Sequence, residues 1–420
     1  MIKKLSDAGF EIIDSPMGAD IIIINTCGFI EAAKKEAIDN IIEMGQLKAD
    51  GEVGKIIVIG CMAERYRDEI LSEMPEVDAV AGIGINENIV SFVEGVINGG
   101  AHSEYPEKTA MPLCGERILT TPGYWAYLKI SDGCSNCCSY CAIPSIRGPF
   151  RSRKAEDIIA EAKKLAEGGV KELILIAQDT TRYGEDLYGR PALPELLGEL
   201  DKIDGIEWIR LLYCYPDRIT DELLSTIKNS KKVLHYIDLP LQHAHGGILR
   251  AMNRCGDEKT LAALIEKIRS YLPDCVLRTT FITGFPGEDE NAFETLSKFV
   301  NDMRFDRLGC FAYSREEGTP AAEMENQVDA ETAAHRGEII MEQQYSIFTE
   351  KQKALIGSVQ RCIVEDYDGY SDSYSGRTWR DAPEIDSAIS FVSKKELEIG
   401  SFADVLITDI NEYDLLGEAT

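Results

Sequence analysis

Unbroken apolar runs and segments with helical spacing alternate along the first hundred residues. The runs Ile21–Ile24 and Ile56–Ile59 are β-branched throughout, which is typical of parallel strands covered on both faces. The stretches 31–44 and 63–74 follow them and carry apolar residues at helical spacing. This alternation predicts an open parallel α/β sheet for residues 1–100, followed by a linker over residues 101–122.

A second series of strand and helix patterns begins at Tyr124. The predicted strands are Ala126–Ile130, Glu172–Ala177, Trp208–Tyr213, Tyr236–Leu239, Leu277–Thr283 and Arg307–Phe311. Because helical segments fill the intervals, we predict a partial (β/α) barrel over residues 123–350, with its site at the carboxyl ends of the strands. A charged helix from Ala330 to Lys353 ends this region.

The final segment, residues 351–420, changes to short strands separated by polar turns. The predicted strands are Gln360–Glu365, Ala388–Val392 and Phe402–Asp409. Their length and spacing are typical of a small β-barrel. The chain is therefore predicted to be an α/β protein with three domains.

The composition limits where the protein is expected to act and which classes of partner it is expected to bind. The apolar runs are far shorter than the ~20 residues that cross a bilayer, and the N-terminus lacks the apolar core of a secretory signal. We therefore expect no membrane contact and a cytoplasmic location. In that reducing compartment, 12 cysteines favour metal or redox chemistry over disulfides. The net charge of −28 disfavours bare RNA as a partner and favours basic proteins.

Four cysteines lie on one loop directly after a predicted strand. They are Cys134, Cys137, Cys138 and Cys141. Three thiolates so close in sequence can bind three corners of an iron–sulfur cube and leave the fourth iron open to an outside ligand. A zinc site is the alternative, although zinc-binding pairs usually need a second pair of ligands elsewhere.

This loop resembles the radical S-adenosylmethionine superfamily. The signature C-x3-C-x2-C, with an aromatic residue before the last cysteine, matches Cys134, Cys138, Tyr140 and Cys141. The resemblance implies that the three cysteines hold a 4Fe-4S cluster that binds S-adenosylmethionine, and that Cys137 is a bystander. The alternative register uses Cys137 in place of Cys138.

Two later strand ends carry candidate contacts to the S-adenosylmethionine cofactor. Gln242 and His243 follow one predicted strand, and Gly284 and Glu288 follow another. Backbone and polar groups at such ends can meet a ligand. A tight turn is the alternative role for Gly284, and His243 is expected to line the pocket rather than bind metal. No catalytic side chain beyond the cluster cysteines is predicted.

Cysteines also follow the first two predicted strands. Cys27 and Cys61 lie at one edge of the sheet, each before a helix whose N-terminus stabilises a thiolate. Two thiolates converging there could hold a second cluster. Two buried apolar cysteines are the alternative.

The segments around these cysteines, Asn25–Ile30 and Gly60–Tyr66, resemble the N-terminal domain of the methylthiotransferases. With the cluster loop and a terminal barrel like the TRAM domain, the resemblance covers nearly the whole chain. It implies a second 4Fe-4S cluster held by three cysteines, two of which match Cys27 and Cys61. The third follows an opening strand that has no counterpart here, so we expect an N-terminal truncation, with Cys114 as a poor substitute.

Three stretches resemble the RimO type of this family, which modifies an aspartate on small-subunit ribosomal protein S-twelve. They are Ile176–Gly184, Leu239–His243 and Gly376–Asp386. From Lys351 onward, 7 Lys and Arg face 14 Asp and Glu, and this acidic balance suits a basic protein better than RNA. Solubility is the alternative reason for the charge. Asp381, Glu384 and Asp386 are expected to contact the substrate.

The resemblance implies a reaction at the β-carbon of that aspartate. A 5′-deoxyadenosyl radical from S-adenosylmethionine would remove a hydrogen, and the second cluster would carry the sulfur. A reducing electron donor and the small ribosomal subunit are the implied partners. One alternative is methylthiolation of adenosine in transfer RNA, which would call for a basic terminal domain. The other is a non-enzymatic iron–sulfur redox protein, which would need neither a barrel nor an open iron.

Overall fold

The computed structural model describes residues 1–100, 103–110 and 113–420. The strands are β1 (Ile21–Thr26), β2 (Lys55–Gly60), β3 (Ala79–Ala81), β4 (Ser103–Glu104), β5 (Trp125–Lys129), β6 (Ser131–Asp132), β7 (Arg151–Ser152), β8 (Glu172–Ile176), β9 (Trp208–Leu211), β10 (Val233–Asp238), β11 (Val276–Thr283), β12 (Arg307–Ala312), β13 (Val359–Asp368), β14 (Ser373–Thr378), β15 (Ile389–Val392), β16 (Phe402–Asn411) and β17 (Asp414–Ala419).

The α-helices are α1 (Ile2–Asp7), α2 (Glu31–Ala49), α3 (Cys61–Tyr66), α4 (Asp68–Glu73), α5 (Ile89–Ile97), α6 (Ile143–Arg147), α7 (Ala155–Glu167), α8 (Glu185–Tyr188), α9 (Leu193–Leu200), α10 (Asp221–Asn229), α11 (Gly246–Ala251), α12 (Glu258–Tyr271), α13 (Glu290–Met303) and α14 (Ala330–Lys353). Short 3-10 helices lie at Ile83–Glu87, Lys108–Ala110, Thr180–Arg182, Pro216–Arg218 and Pro320–Glu323. None of the described helices combines the length and apolarity needed to cross a bilayer.

The chain divides into two compact units. The first contains Met1–Thr120, Asp132–Arg153 and Ser314–Glu323, and the second contains Thr121–Ser131, Lys154–Tyr313 and Met324–Thr420. The loop with the four clustered cysteines therefore belongs to the first unit, although it follows a strand of the second.

A parallel sheet of strand order β1-β2-β3-β4 organises the first unit. The register of β1 and β2 puts Thr26 opposite Gly60. Alternate residues of β2 enter two core clusters, one on each face of the sheet. This confirms the predicted open parallel α/β sheet. Strands β3 and β4 were not predicted because they are only three and two residues long, too short for a visible period.

The prediction of one continuous helix over 63–74 was wrong, because the structure has two short helices there. Helix α3 ends at Tyr66 and α4 begins at Asp68, and Arg67 between them has φ 49. A positive φ interrupts the helical hydrogen bonds, because a right-handed helix requires a φ near about −60° at every residue. Helix α3 is therefore a short element that starts at Cys61, directly after β2.

The second unit contains a six-stranded parallel sheet in the order β12-β11-β10-β9-β8-β5. All six predicted strands are present, in sequence order across the sheet. The pairing of each strand with its neighbour along the chain confirms the predicted partial barrel, because βα units that wind in one direction add strands consecutively.

Strands β13 to β17 close into a barrel in the order β13-β14-β15-β17-β16, as the fold class predicted. Strands β14 and β17 were missed. In the case of β14, the segment Ser373–Thr378 is mostly polar and resembles a turn in sequence. Trp125, Trp208 and Tyr236 of the large sheet pack with Ile363 and Ala382 of the closed barrel in one core cluster. The closed barrel is therefore seated on one face of the open sheet.

Candidate functional site

Cys27 and Cys61 directly follow a pair of opposing strand residues. Thr26 lies opposite Gly60 at the carboxyl ends of β1 and β2, so each cysteine is the next residue on its own strand. Cys27 is exposed, and Cys61 is half-buried. The structure therefore brings these two predicted ligands to one sheet edge, while Cys114 is exposed in the predicted linker.

Two glycines allow the close approach of the cysteine loops. A Cβ atom on Gly28 would lie 2.7 Å from Cα of Met62, and a Cβ on Gly60 would lie 2.5 Å from the carbonyl oxygen of Thr26. Gly60 also has φ 99, which larger residues rarely adopt. Any side chain at either position would push Cys27 and Cys61 apart.

Arg147 is the charged neighbour of Cys61. Its guanidinium Nη2 lies 3.5 Å from the Cys61 sulfur, and Nη1 donates to Oδ1 of Asp132 at 3.1 Å. Burial raises the pKa of Cys61, and Arg147 opposes this rise while the neighbouring Cys27 thiol adds to it. Burial therefore outweighs the nearby positive charge of Arg147 in its effect on the pKa of Cys61.

Asp132 connects this arginine to the loop of clustered cysteines. Its side chain is fully buried two residues before Cys134, and Arg151 also lies 3.6 Å from its Oδ2. Sequence reasoning missed both Asp132 and Arg147. The available signal was a buried acid and a basic residue flanking the cysteine loop, but charged residues on loops are too common for this pattern to be selective.

Backbone hydrogen bonds anchor the start of the cysteine loop and form a turn at its end. The amide of Cys134 donates to the carbonyl of Gly148 at 3.1 Å, and the amide of Cys141 donates to the carbonyl of Cys138 at 3.0 Å. Gly133 has φ 75, and a Cβ there would lie 2.2 Å from the carbonyl of Pro149. The loop thus depends on a glycine immediately before its first cysteine.

Exposure differs among the four cysteines of this loop. Cys134, Cys138 and Cys141 are half-buried, whereas Cys137 is exposed and has φ 53. Within the described ranges, no three His, Cys, Asp or Glu side chains gather closely enough to hold one metal ion. In a cubane cluster the cysteines bind different irons and so lie farther apart than ligands of a single ion. The choice of register stays a prediction.

Charged residues also hold the loop of Cys27. Arg65 donates to the carbonyl of Gly28 at 2.9 Å and to Oε2 of Glu316 at 3.0 Å, and Lys34 pairs with the same oxygen at 3.2 Å. Burial raises the pKa of Glu316, but hydrogen bonds from Ser314, Lys34 and Arg65 outweigh it and lower that pKa overall. Glu316 therefore stays ionised and orders the arginine beside Gly28.

In the second unit, the predicted cofactor residues His243, Gly284 and Glu288 are in direct contact. His243 Nε2 lies 3.2 Å from Oε2 of Glu288, and Oε1 of Glu288 accepts from the amide of Gly284 at 3.0 Å and from Arg336 at 2.9 Å. The amide of His245 donates to Nδ1 of His243 at 2.9 Å. Burial lowers the pKa of His243, although Glu288 opposes this effect.

Gln242 and Gly284 have left-handed backbones at adjoining strand ends. Gln242 has φ 72, and its amide and carbonyl bond to Thr280 and Ile282 of β11, each at 2.8 Å. Gly284 has φ 73, and a Cβ there would lie 2.1 Å from Cβ of Ala333. A strained non-glycine residue held by its backbone is common at ligand sites. Contact of these residues with S-adenosylmethionine stays a prediction.

The RimO-like stretch Gly376–Asp386 faces mostly inward. Arg377 pairs with Glu172 at 2.8 Å and with Glu365 at 2.9 Å, and both Arg377 and Glu172 are buried. Asp381 pairs with Arg307, and Asp386 accepts from the hydroxyl of Tyr236 at 2.6 Å. The expectation that Asp381 and Asp386 contact a substrate is therefore wrong, because their carboxylates are used within the fold.

Comparison with known protein families matches three regions of the chain. Residues 128–300 match the radical SAM superfamily, residues 1–82 match uncharacterized protein family UPF0004, and residues 356–420 match the TRAM domain. A protein of Thermoanaerobacter sp. (strain X514), described as ribosomal protein uS12 methylthiotransferase RimO, is 48% identical over 100% of this chain and 95% of its own length. A protein of the same description from Clostridioides difficile (strain 630) is 47% identical over 100% of this chain and 94% of its own.

A solved structure shares the architecture at low sequence identity. It is the radical S-adenosylmethionine methyltransferase TsrM from Kitasatospora setae with cobalamin and a [4Fe-4S] cluster bound. Its TM-score is 0.58, at 13% identity, over 76% of this chain and 72% of that chain. At this identity the likeness concerns the fold.

Proposed function

The chain belongs to the RimO family of ribosomal protein uS12 methylthiotransferases, and from that premise we propose that it adds a methylthio group to the β-carbon of an aspartate on uS12 by a radical S-adenosylmethionine mechanism. The observation that carries this proposal is the 48% identity to a relative of that description along the entire chain. The continuity of the match matters, because it includes all three matched regions rather than the radical core alone.

Cys134, Cys138 and Cys141 would hold the first 4Fe-4S cluster. Thiolates are the usual ligands of such clusters, and the loop supplies three of them between the backbone bonds at Cys134 and Cys141. When bound, this cluster supplies an electron to S-adenosylmethionine, which yields a radical able to remove hydrogen from an unactivated carbon. The protein groups hold the loop and orient the reactants.

The strand-end residues of the second unit would shape the cofactor pocket. Glu288 has both carboxylate oxygens occupied by His243, Gly284 and Arg336, so its role in this proposal is to position the loop. His243 stays uncharged near neutral pH, since burial lowers its pKa. The groups proposed to contact S-adenosylmethionine are therefore Gln242 and the backbone around Gly284.

Cys27 and Cys61 would contribute to a second 4Fe-4S cluster. The donor type fits, and Gly28 and Gly60 keep the two loops close. Arg147 would lie against this site, because its guanidinium is beside the Cys61 sulfur. A hydrogen bond to a ligating sulfur adjusts the reduction potential of a cluster, so Arg147 is suited to that task.

The partners in this proposal follow from charge and chemistry. The substrate is uS12 or the small ribosomal subunit that carries it, and an external reducing donor supplies electrons. The net charge of −28 supports a basic protein over bare RNA. The proposal also includes a cytoplasmic location, where ribosomes are found.

The test is a direct comparison of substrates. The chain, extended at its N-terminus to supply the third cysteine that the family resemblance implies for the second cluster, would be reconstituted anaerobically with iron and sulfide. It would then be incubated with S-adenosylmethionine and either uS12 or transfer RNA. Mass spectrometry should find a methylthio group on an aspartate of uS12, and Cys134→Ala should remove it. Methylthio groups on adenosine, with none on aspartate, would replace this function with the transfer-RNA alternative.

A further inference from the structure

Two residues at one turn of the stretch Gly376–Asp386 point outward. In this stretch, which is described throughout, Glu384 and Ile385 are the exposed residues. The remaining acidic side chains bond within the fold, as Asp381 does with Arg307 and Asp386 with Tyr236. The turn at Glu384 is thus the part of this stretch that can meet another molecule.

The backbone at Glu384 is unfavourable for the residue that it carries. Glu384 follows Pro383 in a turn and has φ 67, a conformation in which glycine or asparagine is the usual residue after proline. A glutamate there carries a backbone cost that glycine would avoid. Such strain is commonly retained where the side chain has a task.

One tyrosine contacts this carboxylate. The hydroxyl of Tyr127 donates to Oε2 of Glu384 at 3.0 Å. Burial and this hydrogen bond raise the pKa of Tyr127 well above its usual value, and the nearby Tyr213 adds to the rise. We call Tyr127 and Glu384 the Glu384 patch.

The chemistry of the Glu384 patch suits a cation. Across residues 1–100, 103–110 and 113–420, Glu384 accepts a hydrogen bond from Tyr127 and forms no ion pair with a lysine or arginine. The hydrogen bond from Tyr127 holds the carboxylate in place, and carboxylate oxygens accept charge-assisted hydrogen bonds from ammonium and guanidinium groups. The surrounding chain is strongly acidic, so a basic partner is attracted to this surface.

We propose that Glu384 is a specificity-determining residue that binds a lysine or arginine side chain of the protein substrate. This inference rests on the proposed function, in which the substrate is uS12. Tyr127 positions the carboxylate. The rest of the stretch Gly376–Asp386 anchors the turn to the open sheet through the Arg377–Glu172 and Asp381–Arg307 pairs.

A matched pair of variants tests the assignment. Glu384→Gln should weaken binding of purified uS12 about fivefold, the loss expected for one exposed charge pair, and should reduce the dependence of affinity on salt. Glu412→Gln is the control, because Glu412 is also exposed, also has a positive φ of 54 and lies in another turn of the same barrel. It should bind like the unaltered chain.

A double-variant cycle identifies the partner side chain. Each lysine and arginine of uS12 would be changed singly to alanine and measured against the unaltered chain and Glu384→Gln. One substitution should weaken binding to the unaltered chain but not further weaken binding to Glu384→Gln. Thermal unfolding of both enzyme variants checks that the fold is retained.

The outcomes separate this inference from the proposed function. If the unaltered chain binds uS12 and Glu384→Gln binds as well as Glu412→Gln, the role of Glu384 is overturned while the function stands. If the unaltered chain does not bind uS12, the proposed substrate fails, and this inference fails with it. A loss confined to Glu384→Gln supports both.

Discussion

Arg147 lies with one guanidinium nitrogen 3.5 Å from the sulfur of Cys61 and another 3.1 Å from Oδ1 of Asp132. One side chain thus joins the end of β2 to the start of the cysteine loop inside the first unit. Because Asp132 is fully buried, its charge depends on this partner and on Arg151.

Loss of the arginine should destabilise the first unit. Arg147→Gln is expected to lower the free energy of unfolding by about 2 kcal/mol, since it removes a hydrogen bond to a buried charge. Urea denaturation of the chain measures this loss. Asp132→Asn is the matched variant, and the double variant should lose less than the sum of both. Additive losses would show that the two residues act independently.

The cysteine loop provides a test of register. Cys134→Ala, Cys138→Ala and Cys141→Ala should each abolish cleavage of S-adenosylmethionine by the reconstituted chain, because each would remove one ligand of the first cluster. Cys137→Ala, at an exposed position of the same loop, should cleave it normally. Chromatography measures the 5′-deoxyadenosine that is released, and its amount reports the cleavage of S-adenosylmethionine. Activity in Cys138→Ala with none in Cys137→Ala would establish the other register.

Stability should fall as the pH drops, partly because of His243. Burial lowers the pKa of His243 below its ordinary value of 6.5, so below that pH the unfolded chain binds a proton that the folded chain does not. Linkage then requires the free energy of unfolding to decrease as the pH falls from 7.5 to 5.5. In His243→Gln this decrease should be smaller in urea denaturation. His335→Gln, on the exposed surface of α14, should keep the full decrease.

Breaking a buried ion pair of the second unit should lower the free energy of unfolding far more than breaking an exposed one. Glu172 is fully buried and pairs with both Arg210 and Arg377. Glu172→Gln should therefore cost about 3–5 kcal/mol, because it leaves the buried guanidinium of Arg210 without its carboxylate partner. Glu207→Gln breaks the exposed pair with Arg361 and should cost less than about 1 kcal/mol. Equal losses in chemical denaturation would contradict this ranking.

The order of strands and helices could be read from local patterns. The β-branched runs at Ile21–Ile24 and Ile56–Ile59 and the six strands of the open sheet were predicted because buried parallel strands have no polar face. Strands β14 and β17 were missed, since their residues gain strand structure from barrel neighbours rather than from their own pattern. The break between α3 and α4 at Arg67 was also missed, because the apolar residues on both sides of it have helical spacing.

The sequence by itself determined that four cysteines share one loop, and the prediction that Cys134, Cys138 and Cys141 bind a cluster rests on their local spacing. Only the tertiary structure decided which distant groups meet them. Arg147 reaches Cys61 across 86 residues of chain, and Tyr127 reaches Glu384 across 257. It also decided that Asp381 is enclosed and Glu384 is exposed. Such pairings depend on how the sheets pack, and packing joins residues without regard to their separation in sequence.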